Sequence, residues 1–271
     1  MKVILEFHLD NHLPLDAASL LPDRILASSK PELARTQVNY GNETYCLGEL
    51  CRITIEDRGP HALIFTGDTQ NLHRAGFGLT VGRLEIHGSV GSLAGAEMTG
   101  GELEINGDAG DGLGVAMRAG LIRVKGNAGD RTGGAYIGAE RGMTGGMILV
   151  EGNAGNETGE KMRRGLVAVA GSAGELAGLD MLAGTLLVGK RLGKLAGLGM
   201  KRGSLVADSC PTLLPCFSQA CCMDWVWLRL LFYELRSKNF PVPEDWLNSP
   251  FTRCTGDHTE LGRGEIILHE L

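Results

Sequence analysis

The chain has 271 residues, enough for one large domain or two modest ones. Its formal net charge of −6 excludes a general nucleic-acid binder, and 41 glycines against 9 prolines set it far from average composition. Disorder is excluded as well, because 43% of the residues are apolar and the glycines recur at fixed spacing. Seven cysteines, an odd number with no CxxC pair, and the lack of a basic-then-apolar leader lead us to expect reduced thiols and a cytoplasmic protein. No apolar run reaches membrane-spanning length; the longest, around 225–232, is short and contains Arg229, so no membrane partner is expected.

Residues 1–47 carry no repeat and are expected to form an N-terminal cap with strands. "ELCRITIEDRG" (49–59) reads as a strand and "ALIFTGDTQNLHRAG" (62–76) as a loose first turn. A phrase then recurs, opened by Gly82, Gly101, Gly120, Gly146, Gly165, Gly184 and Gly203, with steps of 19, 19, 26, 19, 19 and 19. A closing Gly-x-x-Gly keeps pace, as in Gly107/Gly110 and Gly126/Gly129, and so does a methionine column from Met98 to Met200.

Each phrase reads Gly-x-h-x-h-x-Gly, where h is apolar. Leu84/Ile86, Leu103/Ile105, Ile122/Val124 and their later counterparts alternate with period two, the mark of a strand with one buried face. The next position, Ser89, Asp108, Asn127, Asn153 or Ser172, is a small polar type that suits a turn and tolerates left-handed backbone. Such a unit cannot bury its apolar face alone, so copies must stack. The expected fold is all-β: a right-handed parallel β-helix of about seven 19-residue turns over 48–208, roughly 34 Å long at the usual strand spacing. The methionines are expected as a core ladder rather than a soft-metal site.

The 26-residue step places seven extra residues between Gly133 and Met143, so "GAYIGAERG" (134–142) is expected to loop out of one corner and offer contacts, Tyr136 among them. Outward strand positions are charged in early turns, with Glu85, Glu104, Arg123 and Lys125. They become apolar later, with Met147, Leu149, Leu166 and Leu187. Something must cover the later turns, either the chain's own C-terminal segment or another protein of an assembly. Arg163, Arg164, Lys201 and Arg202 follow the methionine column and stack into a basic corner, either a solvated edge or a seat for a polyanion.

Residues 209–271 are expected as a C-terminal extension with one amphipathic helix. In "DWVWLRLLFYEL" (224–235), Trp225, Leu228, Leu231, Phe232 and Leu235 form one apolar stripe, and Trp227 and Leu230 begin a second. Cys216, Cys221 and Cys222 with His258 have the wrong spacing for a zinc knuckle, and the cysteines are expected as buried thiols, with no metal bound. "GDGLG" (110–114) resembles a nucleotide loop, but the repeat accounts for its glycines and no helix follows. No catalytic constellation stands out.

The run GxhxhxGxAGxxxGxxMxxG, as in 101–120 and 146–165, resembles the β-helix of the C subunit of formylmethanofuran dehydrogenase, and also the C-terminal domain of the glutamate synthase large chain. "PTLLPCF" (211–217), the apolar helix and "FTRCTGDHTELGRGEIIL" (251–268) are similar to the bacterial form of that C subunit. The resemblance implies a non-catalytic scaffold in a formyltransferase/hydrolase complex of one-carbon metabolism. Its partners would be an amidohydrolase-like metal subunit and a formyltransferase subunit. That complex passes formyl from formyl-tetrahydromethanopterin to a methanofuran-type carrier and releases formate. No catalytic residue comes with the resemblance; Arg163, Arg164, Lys201 and Arg202 are candidates to seat the carrier's acidic tail. A structural domain like that of glutamate synthase is the alternative.

Overall fold

The computed structural model describes residues 1–9, 13–56 and 61–269; residues 57–59 of the expected strand 49–59 lie outside them. The protein is mostly β. The strands are β1 (Lys2–Phe7), β2 (Leu15–Asp16), β3 (Gln37–Tyr40), β4 (Glu43–Cys46), β5 (Cys51–Glu56), β6 (Ala62–Gly67), β7 (Leu72–His73), β8 (Arg83–Ile86) and β9 (Thr99–Ile105). They continue with β10 (Ala119–Val124), β11 (Met147–Val150), β12 (Leu166–Val169), β13 (Thr185–Arg191), β14 (Arg202–Ser209), β15 (Ser218–Met223), β16 (Phe251–Gly256) and β17 (Arg263–Leu268). Three single-turn helices, α1 (Pro22–Ile25), α2 (Lys30–Ala34) and α3 (Leu47–Leu50), precede one of 12 residues, α4 (Val226–Ser237).

Thirteen strands make one sheet in the order β15-β16-β17-β14-β13-β12-β11-β10-β9-β8-β6-β1-β5. From β6 to β14 every neighbour is parallel and equivalent repeat positions pair: Leu84 with Leu103, Leu103 with Ile122, Ile122 with Ile148, Ile148 with Val167. The last two pairings span the step of 26 and the following step of 19, so the seven extra residues leave the register intact. A second line of parallel bridges joins Val90, Ala109, Ala128, Ala154 and Ala173. The methionines at 98, 117, 143, 162, 181 and 200 are fully buried in the same core as the inward strand residues.

Two different constraints select the glycines. At Gly120 the backbone is left-handed, φ +102°, and a Cβ would lie 2.6 Å from the Gly100 carbonyl oxygen. At Gly126 φ is ordinary, but a Cβ would lie 2.7 Å from the Gly107 oxygen of the neighbouring repeat. The small polar column is not left-handed, which corrects the expectation for it. Asp108, Asn127 and Asn153 instead run a ladder: each side-chain oxygen accepts the backbone N–H one repeat on, at 2.7, 2.9 and 2.9 Å. Left-handed backbone falls elsewhere, at Arg131 and Glu157 among others, each with φ +57°.

The segments flanking the repeat extend the sheet at both ends. β1 lies parallel to β6 and antiparallel to β5, so strands distant in sequence meet, and Phe7 packs edge-on against Phe65 at 5.4 Å. At the other end β17 joins β14 in parallel, and β16 and β15 follow antiparallel. A small sheet, β4-β3-β2-β7, sits with α1 to α3 over the N-terminal end, its core residues continuous with those of the large sheet.

Candidate functional site

The basic corner is formed by the short segments that lead into β12 and β14. Arg163, Arg164, Lys201 and Arg202 are exposed and line one groove of about 530 Å3, with Leu182 and Ala183 on its floor and Leu261 at its rim. The repeat places Arg163 and Lys201, and likewise Arg164 and Arg202, two strand spacings apart, about 10 Å. Among the described residues no carboxylate comes within ion-pair distance of these four cations. The groove can therefore hold anionic groups without an internal competitor, and Leu182 and Leu261 give it an apolar side.

The other basic residues of this side separate from it. Lys161 is held by Glu160 at 3.5 Å and by the Ala139 carbonyl at 3.1 Å. Arg191 and Lys194 line a different groove, of about 360 Å3, beside Glu175. A further groove of about 490 Å3, lined by Arg141 and Lys161 but also by Glu140, Asp180 and Glu260, shares Lys201 and Leu182 with the basic one. Leu261 carried no signal in the sequence; it arrives from the C-terminal segment only because β17 pairs with β14.

The apolar outward face has its cover. Leu149, Leu166 and Leu187 are buried under α4 in a second core with Leu228, Phe232, Leu235, Trp246 and Phe251. These three therefore form an intramolecular layer rather than an interface with a partner, and Met147 packs partly buried at its border. Arg123 closes the layer, donating from Nη1 to the Lys238 carbonyl just past α4 at 2.6 Å. Trp227 faces away from this core and is 36% exposed.

In the insert, Tyr136 donates to Glu97 Oε1 at 3.0 Å, and burial, followed by that hydrogen bond, pushes its hydroxyl up to about 12. Tyr136 and Ile137 border an apolar groove of about 470 Å3 with Leu93 and Val115. The cysteines correct one expectation: Cys221 and Cys222 are exposed on β15, while Cys216 is half-buried. Burial, and then its hydrogen bond to Asp257, raise the Cys216 thiol. His258 meets Ser218 Oγ at 2.9 Å. Among the described residues no group of three His, Cys, Asp or Glu side chains is placed to hold a metal, and no helix is long and apolar enough to cross a membrane.

The in-register parallel strands, the side-chain ladder and the buried methionine column define a repeat-built β protein with a basic groove along one corner. No protein-family model matches the chain. It is 34% identical over 87 residues to the C subunit of the tungsten-containing formylmethanofuran dehydrogenase 2 of Methanothermobacter marburgensis, and equally to that of Methanothermobacter thermautotrophicus. Each match spans 31% of this chain and 32% of the relative, so the chain covers about a third of the length of these curated relatives. A chain in the crystal structure of the formyltransferase/hydrolase complex FhcABCD from Methylorubrum extorquens, which contains methylofuran, superposes with a TM-score of 0.89. It shares 33% identity over 99% of this chain and 100% of its own. The chain belongs to the family formed by the C subunit of formylmethanofuran dehydrogenase and its counterpart in the FhcABCD complex.

Proposed function

We propose that the chain is a non-catalytic scaffold of a formyltransferase/hydrolase complex of one-carbon metabolism, working in the cytoplasm. The complex would move a formyl group from formyl-tetrahydromethanopterin to a methanofuran-type carrier and release formate, with an amidohydrolase-like metal subunit and a formyltransferase subunit as partners. The observation that carries this reading is the whole-length likeness to a chain of the FhcABCD complex. In the same reading, 48–208 is a right-handed parallel β-helix, capped by 1–47 and extended by 209–271. Supporting it are the two sets of parallel pairings that recur once per repeat, one between strands and one along the alanine column.

The groove of Arg163, Arg164, Lys201 and Arg202 is assigned to the acidic tail of the carrier, and Tyr136 and Trp227 to contacts with other subunits. Support for the first is the concentration of unpaired cations, and for the second their partial exposure on the insert and on α4. Purification through a tag on this chain, from a host that makes it, tests the reading. The expected result is co-purification with both partners and formyl transfer by the assembly, with none by the chain alone. Recovery of the chain by itself, or turnover by the isolated chain, overturns it.

A further inference from the structure

We infer that β15 and the outer stripe of α4 form one docking surface, which takes an extended, uncharged segment of a companion protein of the complex as an added strand. The inference rests on the scaffold reading above and names the surface through which the scaffold would hold a partner.

Two independent observations converge on it. First, β15 is the terminal strand of the thirteen and, among the described residues, pairs only with β16, so its other edge presents free backbone donors and acceptors. Its sequence, SQACCM, contains no charge and no proline, and all six residues are exposed. The opposite terminal strand is different: β5 carries Arg52 and Glu56, and Arg52 reaches Glu6 at 3.5 Å. Charges of that kind are how a free edge is kept from pairing. β15 lacks them. Second, large apolar side chains are exposed at the end of β15 and along α4. Met223 is 48% exposed, Val226 69%, Trp227 36%, Leu230 66% and Tyr233 59%. The spacing of 226, 227, 230 and 233 makes one helical stripe, opposite Leu228, Phe232 and Leu235, which face the core. Five exposed large apolar side chains on one strand end and one helix face mark a contact site, with Asp224 and Glu234 interspersed among them.

The surrounding charges say what kind of partner fits. Asp224 pairs with Arg229, Glu234 with Lys238 at 3.1 Å, and Arg253 with Glu265 at 2.7 Å. Each is neutralised within the chain, so nothing at the patch calls for a charged partner. An edge with free hydrogen-bonding groups is satisfied by another strand, and a flanking apolar stripe by that strand's apolar side chains. The basic groove, with its unpaired cations, has the opposite chemistry and a different occupant.

The test compares backbone amide exchange of residues 218–223 in the free full-length chain and in the complex recovered through it. Expected is a slowing of at least about ten-fold in the complex, because amides that gain a strand partner exchange only on opening. Leu230→Glu, at an exposed position, should leave the melting temperature of the free chain unchanged and cut the recovered companion proteins at least about ten-fold, as burying an unpaired charge does. A photoreactive aromatic in place of Tyr233 should cross-link to one companion protein. Equal exchange of 218–223 in free chain and complex overturns the inference and leaves the scaffold reading standing. So does protection that grows with concentration in the free chain alone, which would mean a second copy on the edge. If no companion protein is recovered with the chain at all, the scaffold reading fails and this inference fails with it.

Discussion

Asn127 is tied to both of its neighbours in the polar ladder. Its Oδ1 accepts the Asn153 N–H at 2.9 Å while its Nδ2 donates to Asp108 Oδ1 at 3.1 Å. An amide can do both; a carboxylate can only accept. Asn127→Asp should therefore lose about 0.5–1.5 kcal/mol at neutral pH, because the Nδ2 donor is gone and two carboxylates face each other. Urea midpoints check this, and a midpoint equal to that of the parent would contradict it. Tyr136 gives a second case, one in which stability depends on pH. Its hydroxyl titrates at about 12 in the folded chain, above the ordinary value of about 10. The neutral form is thus favoured by folding, so its stabilisation is whole below about pH 10 and fades as pH rises from there through 12. Tyr136→Phe should cost about 0.5–1.5 kcal/mol at pH 8 by losing the bond to Glu97, and should lack that alkaline fade when urea midpoints are measured from pH 8 to pH 12. Sequence alone exposed the glycine and methionine columns, because glycine and methionine are distinctive residues. It misplaced the left-handed positions. Arg131 and Glu157 adopt that backbone with side chains that carry no turn signal, and the small polar residues to which it was assigned spend their oxygens on the ladder.

Among the elements, α4 was legible from the stripe of Leu228, Phe232 and Leu235, and the drift from charged to apolar outward positions already required a cover. Which cover it was could not be read, since a chain's own helix and a separate protein demand the same apolar face. The structure decides for α4, through burial of Leu149, Leu166 and Leu187 beneath it. Phe232 sits at the centre, with Trp246 and Phe251 at ring distances of 5.4 and 5.9 Å. Phe232→Ala should cost about 3–5 kcal/mol, whereas Leu230→Ala, on the exposed stripe of the same helix, should stay within about 0.5 kcal/mol. Denaturant midpoints of the isolated chain separate the two, and similar losses would mean that α4 does not pack as described. Less legible were β1, β15, β16 and β17. Their partners lie far away in sequence or belong to no repeat: β1 meets β5 and β6 across some fifty or sixty residues. Period-two patterning says which face of a strand is buried and nothing about which strand lies beside it.

At the scale of the whole molecule, the register converts a one-dimensional repeat into a two-dimensional arrangement of charge. Arg163 and Arg164 recur, as Lys201 and Arg202, two repeats later, and Leu182 and Ala183 between them leave the floor uncharged. Stacking alone brings the four cations together on a chain whose net charge is −6. A long flexible anion gains from such a seat chiefly through many weak, screened contacts rather than one strong one, so its attraction should fall as salt rises. If the groove guides the carrier's acidic tail, replacing Arg163, Arg164, Lys201 and Arg202 with glutamine should raise the complex's KM for carrier several-fold at low ionic strength and leave kcat nearly unchanged. The loss reflects binding common to ground and transition states. At roughly 1 M salt, where the screening length shrinks to about 3 Å, the difference from the unaltered complex should vanish. The four side chains are exposed and have no ion-pair partner among the described residues, so the variant should assemble and melt as the parent does. A KM that is unchanged at low salt would mean that this corner takes no part in holding the carrier. A fall in kcat at constant KM would instead make it part of the partner's active site.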